Sequence, residues 1–200
     1  MSSNRKPLLI VLSAASGAGK SSLCRALVDR RADIVYSVSC TTRAPRGGEV
    51  DGQSYHFLSE AEFRRRVAAG DFLEYAEVHG NWYGTLRQTV EQAMQQGNSI
   101  VMDIDIQGAQ QFRERLSQLP KDDLVRKGFV DIFIQVPSME ELRRRLEQRG
   151  EDAPEVIEKR LANAQREMAE APAYRYKIVN ADFEQAVEEL LRIINKEQAV

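Results

Sequence analysis

Gly17, Gly19, Lys20 and Ser21 stand in the run "SAASGAGKSS", residues 13–22, and their types and spacing could hold phosphate. The pattern that does so is G-x-x-x-x-G-K-[ST]. Ala14 replaces its first glycine and Ala15 follows, while the remainder is intact. Successive backbone N–H groups in a tight glycine turn form an anion-binding concavity, and the helix N-terminus behind them adds partial positive charge. Ala14, Ala15, Ser16, Gly17, Ala18, Gly19, Lys20, Ser21 and Ser22 are therefore candidate phosphate binders. Lys20 could reach the β- and γ-phosphates of a nucleotide, and Ser21 could offer its hydroxyl to Mg²⁺. Ala14 is acceptable if its φ is negative and costly if the loop requires a positive φ. A plain glycine turn between strand and helix would carry similar residues. The apolar run before the loop and the helical pattern after it are the context that the phosphate-binding reading demands.

Two further groups of residues could do chemistry. In "IVMDIDIQG", residues 100–108, an apolar strand ends in Asp103, where a nucleotide site places its Mg²⁺-linked carboxylate. Asp105 lies two residues on and would point the same way if the strand continues. In "SVSCTTRAPRGGEVDGQSYHF" and "FLEYAEVHGNWYGT" stand Arg43, Arg46, Tyr55, Glu74, Tyr83 and Thr85. Paired arginines and tyrosine hydroxyls are good donors for a phosphate dianion. A buried glutamate beside hydroxyls could accept from a base that carries adjacent N–H donors. An ordinary turn with solvated arginines would look the same on these residues alone.

The elements that must position these groups follow a βαβ grammar. Residues 8–13, 100–104, 131–136 and 177–180 read as buried strands. Helical patterns cover 20–30, the stretch after Gly108, 139–148 and 183–195. Such alternation predicts a parallel sheet with helices on both faces. The segment 36–97 alternates polar and apolar residues in strand-like pieces ("YSVSC", "SYHFLS", "FLEYAEVHGNWYG") around a short helix at 60–69, as in a small antiparallel subdomain. The segment 150–172 is charged and helical by pattern, and it lies where a lid could sit. The expected organisation is one domain. Its core spans 7–35, 98–149 and 173–200, and 36–97 and 150–172 are inserted.

Composition narrows the function classes. The 200 residues carry 42% hydrophobic and 29% charged residues, which fits one globular domain. A net charge of -2 argues against a general nucleic-acid coat protein. Cys24 and Cys40 are too few for a disulfide framework and read as buried thiols. His56 and His79 share no motif and read as structural. "NRKPLLIVLSAASGA" has the charge and apolar run of a minimal secretory signal, but it runs directly into the loop and helix and reads better as the first strand. No run reaches membrane-spanning length. Nothing in the residues fixes an oligomeric state.

In order along the chain, "SVSCTTRAPRGGEVDGQSYHF", "EVHGNWYGT", "DIDIQGAQ", "LRRRLEQRG" and "KIVNADF" resemble segments of the guanylate kinase family, over about residues 8–194. The loop is similar too, with Ala14 and Ala15 where that family commonly has Gly and Pro. The resemblance implies a P-loop NTPase-type α/β core, an inserted GMP-binding subdomain and a helical lid. It implies a cytoplasmic enzyme of purine nucleotide metabolism that moves the γ-phosphoryl group of ATP to GMP with Mg²⁺. By the same resemblance Arg43, Arg46, Tyr55 and Tyr83 hold the GMP phosphate. Ser39, Glu74, Thr85 and Asp105 read guanine, and Ser21 and Asp103 serve the metal. Lys20 and the lid arginines Arg145, Arg149 and Arg160 act on the transferring group, and Asn180 lies near adenine. Ala181 stands where the family often has Asp. The stretch "LSQLPKDDLVRKGFVD" is longer than the family's usual connection. Arg143 and Arg144 read as a solvated helix face. The rival readings are a non-catalytic guanylate-kinase-like protein-binding module, and a kinase for another nucleotide or a phosphorylated sugar. The intact Lys20 and Ser21 oppose the first, and Glu74 with Ser39, Tyr55 and Tyr83 opposes the second.

Overall fold

A computed structural model describes the chain at residues 5–15, 17–78, 80–150 and 152–199, the side chain of Arg149 excepted. In chain order the elements are β1 (Leu9–Ala14), α1 (Lys20–Arg30), β2 (Ile34–Tyr36), β3 (Cys40–Thr41), β4 (His56–Phe57), α2 (Glu60–Ala69), β5 (Phe72–Val78), β6 (Asn81–Leu86) and α3 (Arg87–Gln95). Then come β7 (Ser99–Asp103), α4 (Ile106–Gln118), α5 (Leu124–Gly128), β8 (Phe129–Gln135), α6 (Met139–Arg149), α7 (Pro154–Met168), β9 (Tyr176–Val179) and α8 (Phe183–Gln198). Five strands form a parallel sheet in the order β2-β7-β1-β8-β9. Four form a second sheet in the order β4-β3-β6-β5.

The central strand explains why helices cover both faces of the parallel sheet. Successive strand residues point to opposite faces. Leu8, Ile10 and Leu12 pack with Leu23, Leu27, Leu142 and Leu190 from α1, α6 and α8. Leu9 and Val11 pack on the other face with Val90, Met94 and Phe112 from α3 and α4. Every residue of β1 is buried, so the run lacks the polar alternation of a half-exposed strand. The second sheet has its own small core, where Phe63 of α2 stacks on Phe72 of β5 at 4.5 Å beside the buried Cys40.

Several expectations need correction. "YSVSC" is not one strand: β2 closes the parallel sheet at Tyr36, paired with Val101, and β3 opens the other sheet at Cys40. The second sheet is antiparallel at β3–β6 and β5–β6, but β3 and β4 run parallel. The strand read at 100–104 stops at Asp103, and α4 begins at Ile106, ahead of Gly108. The reason is local: the Asp105 side chain accepts from the Gly108 N–H at 2.7 Å and caps the helix there. Helix α3 lies within the 36–97 segment, where the pattern gives a helix only at 60–69. The long 116–131 connection contains α5, capped by Asp123, with Val125 buried. Gly128 fits there because a Cβ would lie 2.5 Å from Met94 Cε and 2.7 Å from the Pro7 carbonyl. Cys24 and Cys40 are both buried free thiols. Among the described residues no helix is long and apolar enough to cross a membrane. His79 lies outside the described residues.

Candidate active site

The loop from β1 to α1 is built around two glycines. Gly17 has φ 92 and Gly19 φ 89, values that L side chains rarely adopt. A Cβ on Gly19 would lie 2.7 Å from Asn180 Nδ2, and one on Gly17 would lie 2.9 Å from Leu142 Cδ1. Gly19 is also the N-cap of α1 and brings no side-chain cap. The first N–H groups of α1 therefore face the loop with no side chain competing for them. Ala14 is the last residue of β1, in register with Ile134. It is extended strand, so the missing first glycine costs the backbone nothing there. Ser16 lies outside the described residues.

Around the loop lies a 640 Å³ cavity lined by the rest of the loop from Ala14 to Ser22 together with Asp103, Asp105 and Arg145. Lys20 Nζ donates to the Ile104 carbonyl at 2.8 Å. Ser21 Oγ donates to Asp103 Oδ2 at 2.6 Å. Asn180 is buried and donates from Nδ2 to the Ala18 carbonyl at 2.8 Å, while its own carbonyl accepts from Arg145 at 2.8 Å. Asn180 thus clasps the loop. Glu141 takes the Nε of Arg145 at 2.8 Å and fixes the guanidinium at the cavity wall. Arg160 does not line this cavity; it pairs with Asp152 at 3.0 Å, near the start of α7. Arg143 and Arg144 make ion pairs on exposed helix faces, with Glu158 and Glu141. The side chain of Arg149 lies outside the described residues.

A second cavity of 310 Å³ lies between the two sheets, lined by Ser39, Tyr55, Glu74, Tyr83 and Asp105, and also by Tyr36, Ser37 and Asp103. The β5–β6 hairpin sets Glu74 opposite Thr85. Thr85 Oγ1 donates to Glu74 Oε1 at 2.7 Å from behind the cavity wall. Glu74 is only 6% exposed. Burial pushes its carboxyl up to about 7; the Thr85 hydrogen bond opposes that and the neighbouring Asp105 charge adds to it. Asp105 spends Oδ1 on its cap and still faces the cavity.

Arg43 and Arg46 do not line this cavity; they sit on the loop after β3, with Arg43 beside Tyr55. Arg43 donates to both oxygens of Glu49, at 3.0 and 2.8 Å, and the Arg46 backbone N–H donates to Glu49 at 2.7 Å. These bonds, Arg43's foremost, pull the Glu49 carboxyl down to about 2. The Arg43 guanidinium lies 5.4 Å from the Tyr55 ring, and Tyr55 meets Tyr83 edge-on at 5.9 Å. A third cavity, of 550 Å³, joins the others along α1 and is lined by Ser21, Tyr36, Glu49, Tyr55 and Asp103 among others. Asp103 lines all three. Tyr36, Ser37 and Glu49 escaped the sequence reading. Glu49, an acid three residues after Arg46, is the opposite charge that a search for arginine partners would find.

A glycine loop at the end of a parallel sheet, beside a second cavity that shares the Asp103 lining and has its own buried carboxyl, defines the P-loop kinase class of α/β protein. The guanylate kinase family model matches residues 5–197. A guanylate kinase of Clostridium perfringens (strain SM101 / Type A) is 44% identical over 195 residues, covering 98% of this chain and 86% of that protein. One from Alkalilimnicola ehrlichii is 49% identical over 185 residues, covering 92% and 86%. The crystal structure of a guanylate kinase from Anaplasma phagocytophilum superposes with a TM-score of 0.72 at 38% identity, over 97% of this chain and 87% of that one. A gluconokinase from Sinorhizobium meliloti, at 16% identity and a TM-score of 0.53, shares the fold over 98% of this chain and 95% of its own. The chain belongs to the guanylate kinase family.

Proposed function

We propose that the chain transfers the γ-phosphoryl group of ATP to GMP, giving ADP and GDP, with the loop cavity taking ATP and the cavity between the sheets taking GMP. The observation that carries this reading is the meeting of the two cavities at Asp103. Guanine presents N1–H and N2–H₂ side by side, and one carboxylate accepts both. Glu74 supplies that carboxylate, with Ser39, Thr85 and Asp105 around it. Adenine has an acceptor at N1 and would leave the buried Glu74 unpaired, which a site of this kind rejects strongly. Arg43, Arg46, Tyr55 and Tyr83 hold the GMP phosphate, and Glu49 keeps Arg43 in place. Asn180 holds the phosphate loop beside adenine. The alternative, a non-catalytic binding module, gains no support from a loop this complete.

Ser21 and Asp103 are hard oxygen donors 2.6 Å apart, the kind Mg²⁺ accepts beside nucleotide phosphates, so these residues fit the ion and would hold it. Bound there, Mg²⁺ would neutralise charge on the phosphates of the nucleotide. The residues do the remaining work by alignment and charge. An oxygen of the GMP phosphate attacks the γ-phosphorus, a P–O bond forms, and the bond to the bridging oxygen breaks as ADP leaves. That phosphate is already mostly dianionic near neutral pH, with a second pKa of about 6, so no general base is needed. Lys20 and Arg145 bear on the transferring group from the loop cavity. The segment 150–172 acts as a lid on the core and the segment 36–97 as the GMP-binding subdomain. Their closure brings Arg149 and Arg160 to the phosphates and excludes water. A cytoplasmic place beside the nucleotide pool fits this reading.

The direct test is ADP production from Mg-ATP with GMP, AMP, CMP and UMP offered separately. Turnover with GMP alone is expected. Measurable GMP binding with no turnover would replace the kinase by a binding module.

A further inference from the structure

The carboxylate at the junction of the cavities is held from two sides. Asp103 Oδ2 accepts from Ser21, and Oδ1 accepts from the phenol of Tyr36. Tyr36 is the last residue of β2 and pairs with Val101. Asp103 is two residues beyond Val101 on β7, so all three side chains share the sheet face that α1 covers. Tyr36 is 41% exposed, and its ring lines both the cavity between the sheets and the cavity along α1. A hydroxyl so near solvent could take water, yet it is committed to Asp103. The terminal torsion of an aspartate is broad and nearly two-fold, so one hydrogen bond from Ser21 leaves the carboxylate free to turn. A second bond, from a rigid ring anchored at a strand end, removes that freedom.

We infer that Tyr36 is a positioning residue of the phosphoryl-transfer site: its hydroxyl fixes the Asp103 carboxylate so that Oδ2 stays on Ser21 where the two subsites meet. The inference rests on the proposed role of Ser21 and Asp103 as holders of the metal ion. Groups that orient a metal site from behind are worth about 10–100-fold in metal affinity or activity. The test is Tyr36→Phe in the full chain, which keeps the ring and removes only the hydroxyl. Mn²⁺ serves as probe, titrated by electron paramagnetic resonance in the presence of ADP. The expected result is a Mn²⁺ dissociation constant raised about tenfold, with GMP affinity by calorimetry within about twofold of the unmodified protein. A merely structural tyrosine would lower the melting temperature and leave Mn²⁺ affinity unchanged, and that result overturns the inference. So does a loss of GMP affinity with Mn²⁺ unaffected, which would make Tyr36 a direct GMP contact. Asp103→Asn is run beside it. Unchanged Mn²⁺ affinity in Asp103→Asn would remove the metal-holding role itself and the inference with it. A loss there combined with none in Tyr36→Phe would sink the inference alone.

Discussion

GMP binding should weaken below neutral pH because Glu74 must be ionised to accept from guanine. Its carboxyl is pushed up to about 7 in the ligand-free protein, burial being the main cause. Apparent affinity scales with the competent fraction. At a pKa near 7 that fraction is about 0.9 at pH 8 and about 0.1 at pH 6, so the GMP dissociation constant should rise roughly tenfold across this range. The GMP phosphate titrates in the same window, with a second pKa of about 6, so Glu74→Gln is the necessary comparison. The amide cannot ionise, and it should flatten the part of the profile that belongs to residue 74. It should also weaken GMP by about a hundredfold at pH 8, because one acceptor replaces two and an amide N–H₂ faces the donors of guanine. The same shift acts on stability with a definite sign. A carboxyl raised in the folded state holds its proton longer than in the unfolded chain. Its contribution is therefore complete below the unfolded value near 4.5 and is lost as pH rises through about 7. The swing is of the order of 3 kcal/mol. Ligand-free protein should melt lower at pH 8 than at pH 5.5 by more than Glu74→Gln does. Calorimetric titration of both proteins with GMP from pH 6 to 8.5 decides the matter. Parallel profiles in the two proteins, or a flat one in the unmodified protein, would remove Glu74 from base recognition.

Three further outcomes follow from the same geometry. Lys20→Ala should abolish turnover while calorimetry still detects GMP binding, since Lys20 lines the loop cavity and not the one between the sheets; loss of GMP binding with ATP binding retained would reverse the assignment. Ala14→Gly should leave ATP affinity unchanged and lower stability by about 0.5–1 kcal/mol in denaturant unfolding, because residue 14 is extended strand paired with Ile134; a gain in ATP affinity would mean that the first glycine matters to phosphate after all. Glu49→Gln should raise the KM for GMP by about tenfold with kcat little changed, since it loosens Arg43 from a two-oxygen clamp without touching the loop; a matching fall in kcat would place Glu49 in the transfer step.

Local chemistry was readable in the residues, and long-range placement was not. Helix α2 carries its own signals at both ends: Ser59 accepts from the Glu62 N–H, and Gly70 closes the helix at φ 74. Helix α6 has Ser138 before it and Gly150 after it in the same roles. Helix α3 begins straight from β6 with Leu86 as its cap residue and no side-chain cap bond. Val90 and Met94 do have helical spacing and are buried, but no stop or start residue separates them from the hairpin. Strand β2 is only three residues long and runs within a few residues of β3, so the pattern fused the two. The Asn180 clasp on Ala18 spans 162 positions and the Tyr36 bond to Asp103 spans 67. Neither pair has a spacing from which contact could be read.

Asp105 shows how one residue can be placed at a cavity for the wrong reason. The alternation argument placed it beside Asp103 on a continuing strand, yet β7 has already ended and the residue is a helix cap. It still faces the cavity, because a cap spends only one carboxylate oxygen on the helix and leaves the other side of the group to whatever lies ahead of the first turn. What lies ahead is Glu74. Both carboxylates lie beside Gly108, where a Cβ would sit 3.3 Å from the cap oxygen Oδ1 of Asp105 and 3.3 Å from Oε2 of Glu74. The Asp105 charge therefore adds to the upward shift that burial gives the Glu74 carboxyl. The same side chain fixes the start of α4 and adds to the upward shift of the Glu74 carboxyl, a coupling that local sequence patterns do not express.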